Sequence, residues 1–277
     1  MSYVDLSRDL YETSLSLLGT TKHGLRETVR RIGPLLEDQW YSSGCQDFSV
    51  YGHEDYPYLM LDCYRGWSRM AAVNTVTFCK RVGFKPKSIL DVYAGTGQTT
   101  VLFAKSFPDA TVWFHNTEPD QVAFMKQLAD HYGVTNIKVT KDPVPSEVVF
   151  ASEAMEHVKD PLAFILPVLR DPAVKVYMDA SSFTINSIGH FPTYLKDGVE
   201  HSREDFKRIF FNTLAQEGFH AAHTKRHFVY PRFYNGHPNV LVRHVNGRVA
   251  SGIRPFPAST RGDPEGERVA RAAVLDD

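Results

Sequence analysis

Asp91 ends the apolar run Ile89-Leu90-Asp91, and Val92, Tyr93, Ala94, Gly95, Thr96 and Gly97 separate it from a helix-like segment that opens Gln98-Thr99-Thr100. Gly95 and Gly97 lack a Cβ, so the turn can take backbone angles closed to other residues, and a flat ligand can approach the main chain. The helix behind them directs unpaired backbone N–H groups toward the same point. In open α/β sheets this is where ligands bind, beyond the carboxyl ends of the strands. The chemistry indicated is the capture of a nucleotide-sized molecule.

Two adenine-containing cofactors compete for such a loop. A dinucleotide prefers G-x-G-x-x-G, in which the third glycine lets helix and strand pack closely over a pyrophosphate. Thr100 takes that third place here, and Asp91 would repel a pyrophosphate while accepting hydrogen bonds from loop amides or an ammonium group. The pattern favours a cofactor that carries an amino acid and no phosphate. On Asp91, Tyr93, Ala94, Gly95 and Gly97 the segment resembles the first motif of the class I S-adenosylmethionine (SAM) dependent methyltransferases, and the likeness runs on for more than a hundred residues.

That resemblance implies a second strand, Thr111–His115, ending at the ribose. Asn116 stands where the family has an acid, so an amide would bond the hydroxyls, with Glu118 two residues on as a substitute. Asn136–Thr140 matches a third strand, and Asp142 falls where family members contact the adenine amino group. Glu147–Ser152 matches a fourth, continuing into Glu153-Ala154-Met155-Glu156-His157-Val158-Lys159-Asp160-Pro161. This continuation is similar to a segment of the small-molecule enzymes, and the Asn/Asp-Pro-Pro-aromatic segment of the amino-methylating nucleic-acid enzymes is missing. The implied cofactor is SAM. Its implied contacts are Asp91, Tyr93, Ala94, Gly95, Gly97, Asn116, Thr117, Glu118, Asp142, Ser152 and Glu153, with His157 ordering the loop beside it.

The elements that must position these residues are legible in part. Val174–Asp179 reads as a fifth strand. Ser202 caps a helix in which Phe206, Ile209, Phe210, Thr213 and Leu214 recur at helical spacing, and Gly218 stops it. His220–Val229 and Val240–His244 read as two strands joined by the turn-rich stretch from Tyr230 to Gly236. Ahead of the first strand, Leu25–Trp40 and Gly66–Val82 carry helical periodicity, and Pro34 is expected to bend or divide the first. Between them the stretch from Phe48 to Tyr58 is dense in aromatic and polar groups. The fold class is therefore α/β: a Rossmann-like, mostly parallel seven-stranded sheet with helices on both faces, a terminal antiparallel strand pair and an N-terminal helical cap. Residues 1–84 form the cap and substrate-recognition region, 85–248 the SAM-binding methyltransferase domain, and 249–277 a flexible tail with a short helix at Glu265–Leu275.

The chain's 277 residues, 43% of them hydrophobic, suffice for one large core without metal or disulfide staples. Cys45, Cys63 and Cys79 are odd in number and widely spaced, which points to reduced thiols and a cytoplasmic setting. No apolar run is long enough to span a bilayer and no leader is seen at the start, so no membrane partner is expected. A balance of 31 basic and 32 acidic residues argues against a surface that tracks phosphates.

The implied reaction is in-line attack of an oxygen, nitrogen or carbon of a small-molecule acceptor on the sulfonium methyl. Positioning supplies most of the rate, and a base adds to it. His190 is the first candidate base, followed by Tyr194 and His201, because the segment after the fifth strand leaves the sheet on its ligand-binding side. Asp179, His190 and His201 lack the closely set oxygen ligands of metal-dependent catechol-type enzymes, so no metal is expected. Two alternatives stand beside this reading. Nucleic-acid methylation is suggested by the Tyr93-Ala94-Gly95 spelling, and a catalytically silent scaffold by Asn116.

Overall fold

The computed structural model of the chain describes residues 2–221, 239–245 and 248–249. The helices are α1 (Tyr3–Leu17), α2 (Lys22–Ser42), α3 (Tyr56–Cys63), α4 (Arg69–Arg81), α5 (Gln98–Ser106), α6 (Pro119–His131), α7 (Pro161–Leu169) and α8 (Arg203–Gln216). The strands are β1 (Ser88–Val92), β2 (Thr111–His115), β3 (Ile137–Thr140), β4 (Val148–Ser152), β5 (Val176–Ala180), β6 (Thr193–Lys196), β7 (Val199–Ser202), β8 (Phe219–Ala221), β9 (Asn239–Val245) and β10 (Arg248–Val249).

Parallel strands run in the order β5-β4-β1-β2-β3, and β9 adds antiparallel to β5 while pairing with both β8 and β10. The expected parallel sheet with an antiparallel edge pair is thus present, with the two-residue β10 as an extra strand. Each strand feeds one face and then the other. Ile89, Val148, Phe150, Val176 and Met178 join one apolar cluster with α1, α4, α5 and α6. Leu90, Val149, Ala151 and Tyr177 join a second with α2, α7 and α8. The alternation of side chains along a strand, buried on both faces, makes these strands read as unbroken apolar runs.

The five parallel strands lie within about two residues of their expected bounds. Ser202 caps α8 by accepting from the Asp205 backbone N–H. Pro34 does not divide α2, which runs unbroken from Lys22 to Ser42. Its side chain is exposed, so the hydrogen bond it cannot donate is lost on the wet side, where water can serve the freed carbonyl. Helices α1 and α3 are additions to the sequence reading, as are two smaller elements. A single π-turn, Tyr64–Ser68, links α3 to α4. The β6–β7 hairpin occupies part of the long excursion after β5, closed by Asp197 and Gly198, both at positive φ. An Asp-Gly pair between alternating residues is a hairpin signal, and it was there to be read. The continuation of the strand beyond Ala221, the turn from Tyr230 to Gly236 and the tail with its helix at Glu265–Leu275 lie outside the described residues.

The N-terminal region divides its work. α1 and α4 cover one sheet face, while the stretch from Phe48 through Met60 reaches over the carboxyl ends of the strands. No helix among the described residues is long and apolar enough to cross a membrane.

Candidate functional site

At the carboxyl ends of β1, β2 and β4 the crevice opens into two adjoining cavities, one of about 310 Å³ and one of about 40 Å³. Met60, Tyr93, Gly95 and Glu153 border both. The larger is of the size of ordinary small-molecule sites, roughly 300–1,000 Å³.

Its floor is the glycine loop. Gly97 has φ +87°, and a Cβ there would lie 2.4 Å from Met125 Cγ on α6. Tyr93 and Glu153, the first residues beyond β1 and β4, both adopt left-handed φ values of 47° and 50°. Such conformations cost about 1–3 kcal/mol each and concentrate at binding sites. Here they occur as a pair at neighbouring strand ends, and both residues face the cavities. Tyr93 is held by His115: its backbone N–H donates to Nδ1, and its ring lies edge-on to the imidazole and stacks on Phe164. Nδ1 therefore accepts, and Nε2–H donates to the Lys141 carbonyl, so His115 is a neutral imidazole, in keeping with the downward push that burial gives it.

Asp91 is buried and borders the smaller cavity. Its Oδ2 accepts from Thr99 and Thr100 hydroxyls, both at 2.6 Å, in place of the loop amides expected from the sequence. Burial raises its pKa to about 7, and the two hydroxyls oppose that rise. Thr100, which breaks the dinucleotide pattern, thus has a use of its own.

Asn116 lines the larger cavity, and its amide is bonded within the protein. Its Nδ2 donates to the Gly95 carbonyl at 2.9 Å and to Gln121 Oε1 at 2.8 Å, and its Oδ1 accepts from the Glu118 backbone. Both donor hydrogens are committed, so the amide ties β2 to the glycine turn, and only the second lone pair of Oδ1 is left to accept from a hydroxyl. An aspartate has no donor for the Gly95 carbonyl, which accounts for the amide. Thr117 and Glu118 line the larger cavity beside it. Ala94 lines the smaller one, as does Ser152, whose hydroxyl donates to Ser68 Oγ. Asp142 does not line either cavity. It is exposed in the turn after β3, where its carbonyl accepts from Thr140 Oγ1.

The candidate bases are also corrected. Tyr194 is fully buried among Phe183, Phe191 and Phe206, donates its hydroxyl to the Glu156 carbonyl, and is held protonated by burial. His201 sits on β7 opposite Tyr194 in the hairpin and borders neither cavity. His190 is buried one layer behind the wall, with Nδ1 against the Ile185 carbonyl. The histidine that faces the larger cavity is His157, with Nδ1 2.9 Å from the Tyr51 hydroxyl. Burial, aided by the neighbouring His190, lowers its pKa to about 4, so it is neutral near pH 7. Phe48, Tyr51, Tyr56 and Met60 complete the roof. The aromatic stretch was visible in the sequence, but Met60 carried no signal there.

The loop after β5 is clamped against this wall. Trp40 Nε1 donates to the His190 carbonyl, Tyr41 to the Ser187 carbonyl, and Arg203 to the Phe191 carbonyl. Gly189, at φ +80°, passes so close to Tyr51 and His157 that a Cβ would meet their polar atoms at 2.0 and 2.4 Å.

No protein-family model matches the chain, and no curated protein matches it. Solved structures resemble it in fold. An O-methyltransferase family protein from Burkholderia thailandensis is 12% identical, over 73% of this chain and 64% of that one, with TM-score 0.47. The mitomycin 7-O-methyltransferase MmcR is 15% identical over 80% and 67%, with TM-score 0.47. The pyocyanin biosynthetic protein PhzM is 14% identical over 81% and 74%, with TM-score 0.47. Likeness this distant assigns no activity.

Proposed function

We propose that the protein is a SAM-dependent methyltransferase acting on a small molecule. The observation that carries this reading is the crevice itself: a glycine turn at the end of β1, a buried carboxylate beside the smaller cavity, and Thr117 and Glu118 at the end of β2 beside the larger one. The methionyl end of SAM fits against Asp91, which offers a carboxylate to its ammonium group. The nucleoside fits along Gly95 and Glu118, with Asn116 holding the loop in shape. SAM supplies the activated methyl group. The aromatic roof from Phe48 to Met60 encloses the acceptor and keeps water from it, and residues 1–84 thereby serve acceptor recognition. Glu153 and His157 are titratable groups that face this space.

Calorimetric titration with SAM, S-adenosylhomocysteine and NADH tests the reading. Saturable binding of the first two, lost in Gly95→Arg, is expected; binding of NADH alone overturns it. An acceptor panel read by mass for the gain of one methylene then identifies the product.

Two variants separate this site from the one expected from sequence. Asn116→Asp restores the family's acid, yet it sets a carboxylate oxygen against the Gly95 carbonyl and removes a donor. A loss of about 1–3 kcal/mol follows for an unsatisfied buried group, so SAM affinity falls by roughly tenfold or more. Tighter binding in the same titration would refute the structural role given to the amide. His201→Ala leaves turnover within about twofold of wild type, since surface substitutions away from a site generally change little. A large drop in kcat would return His201 to the site.

A further inference from the structure

Glu156, His157 and His190 each offer a ligand atom, and these atoms lie within 4.8 Å of one another. The cluster is built rather than incidental. Glu156 is fully buried; its Oε1 accepts from the Ser182 backbone and hydroxyl, while Oε2 is buried with no hydrogen-bond partner. A buried carboxylate oxygen left without a donor demands an explanation, and a missing cation is one. His190 Nδ1 lies 2.8 Å from the Ile185 carbonyl. A carbonyl can only accept, so Nδ1 carries the hydrogen and Nε2 keeps its lone pair. His157 Nδ1 lies 2.9 Å from the Tyr51 hydroxyl, which can accept from it and so permits the tautomer that leaves Nε2 free. A second-shell bond on one ring nitrogen that frees the other is how metal-binding histidines are oriented.

Charge points the same way. Glu153 lies beside Glu156, buried and bonded to the Ser182 hydroxyl. Among the described residues neither carboxylate is in a salt bridge with lysine or arginine. The buried Glu156 carboxylate thus has no cationic lysine or arginine beside it, and Glu153 adds a second carboxyl rather than a counter-charge. Gly189 makes the arrangement possible, because any side chain there would push the loop bearing His190 away from His157.

We propose that Glu156, His157 and His190 bind a divalent transition-metal cation of the Zn²⁺, Mn²⁺ or Fe²⁺ type at the wall of the larger cavity. Two imidazoles with one carboxylate suit these ions, whereas Mg²⁺ and Ca²⁺ prefer all-oxygen sites. Metal–ligand bonds of about 2.0–2.2 Å require the three atoms to draw somewhat closer than their present spacing. Three protein ligands leave coordination positions open, and His157 directs them to the cavity. What the cation does there rests on the methyl-transfer reading, although its binding does not. The acceptor is then a hydroxyl compound. Bound at an open position its O–H would become more acidic, the proton would pass to Glu153 once the cation had displaced that carboxyl's own proton to solvent, the oxygen would form the new O–C bond, and the C–S bond would break with its electron pair left on sulfur.

The test uses full-length protein stripped with a chelator and titrated with Zn²⁺ and Co²⁺ by calorimetry and, for Co²⁺, by visible absorption. Wild type is expected to take up a single equivalent, with a Co²⁺ spectrum showing nitrogen ligation. Glu156→Gln and His190→Asn, each verified as folded by thermal melting, should bind more than about 1,000-fold more weakly or not at all, beyond the roughly 10- to 100-fold typical of losing a group that only orients a ligand. His201→Ala, on a histidine outside the cluster, should bind like wild type. No saturable uptake by folded wild type, or uptake unchanged in both ligand variants, overturns the site and leaves the cluster as a neutral hydrogen-bonded network. SAM titrated into the same stripped protein keeps the two readings apart: SAM binding without metal uptake defeats only this one, and metal uptake without SAM binding defeats only the other.

Discussion

Replacing Gly97 with alanine lowers the unfolding free energy by about 2–5 kcal/mol and removes cofactor binding. Two costs combine. A non-glycine residue held at left-handed φ costs about 1–3 kcal/mol, and φ at Gly97 is +87°. Overpacking adds about 1–3 kcal/mol. The new Cβ would meet Met125 Cγ at 2.4 Å, Cβ at 2.7 Å and Cα at 3.3 Å, so rotating one flexible side chain does not relieve the clash. α5 and α6 must separate, and the turn that begins α5 moves with them. Urea unfolding of the purified variant, followed by SAM titration, measures both effects. A variant within about 0.5 kcal/mol of wild type, the usual range for an innocuous surface change, would show that the turn is not constrained as described.

SAM affinity rises about five- to tenfold between pH 6 and pH 7.5, and Asp91→Asn abolishes that rise while binding weakly throughout. Burial raises the Asp91 pKa to about 7 in the free protein, so near pH 6 most molecules carry a neutral carboxyl there. An ammonium partner is attracted only to the ionised form, and each pH unit below the pKa costs close to tenfold in binding. The window closes above pH 7.5, because an α-amino group begins to lose its own proton at about 7.7–8.0. Stability runs the opposite way. The folded pKa lies above the unfolded one, so the stabilisation present in the protonated form below pH 4 is lost as pH rises from about 4 through 7. Asp179, raised to about 7 by burial and by Glu156, adds to that stability trend but borders neither cavity, so the affinity profile isolates Asp91. A flat wild-type profile by calorimetry would remove Asp91 from the ammonium site.

The parallel strands and the glycine turn were legible because each is determined locally. Ile89-Leu90 and Val148-Val149-Phe150 are apolar on both faces, and the turn between β1 and α5 needs residues without a Cβ. The wall of the site was legible only as composition. That the stretch from Phe48 to Tyr58 roofs the cavity depends on α2 packing against the loop after β5, where Trp40 meets Phe191 and donates to the His190 carbonyl, a contact between residues far apart in sequence. The histidines show the same limit. His157, His190 and His201 are equal candidates by chemistry, and what separates them is tertiary: one faces the cavity, one lies behind it, and one rides on a hairpin whose Asp197-Gly198 turn was overlooked. Asn116 was read as a weakened contact because the partner that explains it, the Gly95 carbonyl, sits twenty-one residues away in the chain and 2.9 Å away in space.

Met60 borders both compartments and lies against Gly95, where a Cβ would meet its sulfur at 3.4 Å. A thioether on the α3 roof therefore stands where the two compartments meet. On the proposed function, a cofactor in the smaller compartment and an acceptor in the larger would touch the same side chain, so the expected result is that Met60→Ala changes the binding of both, measured by titrating each separately.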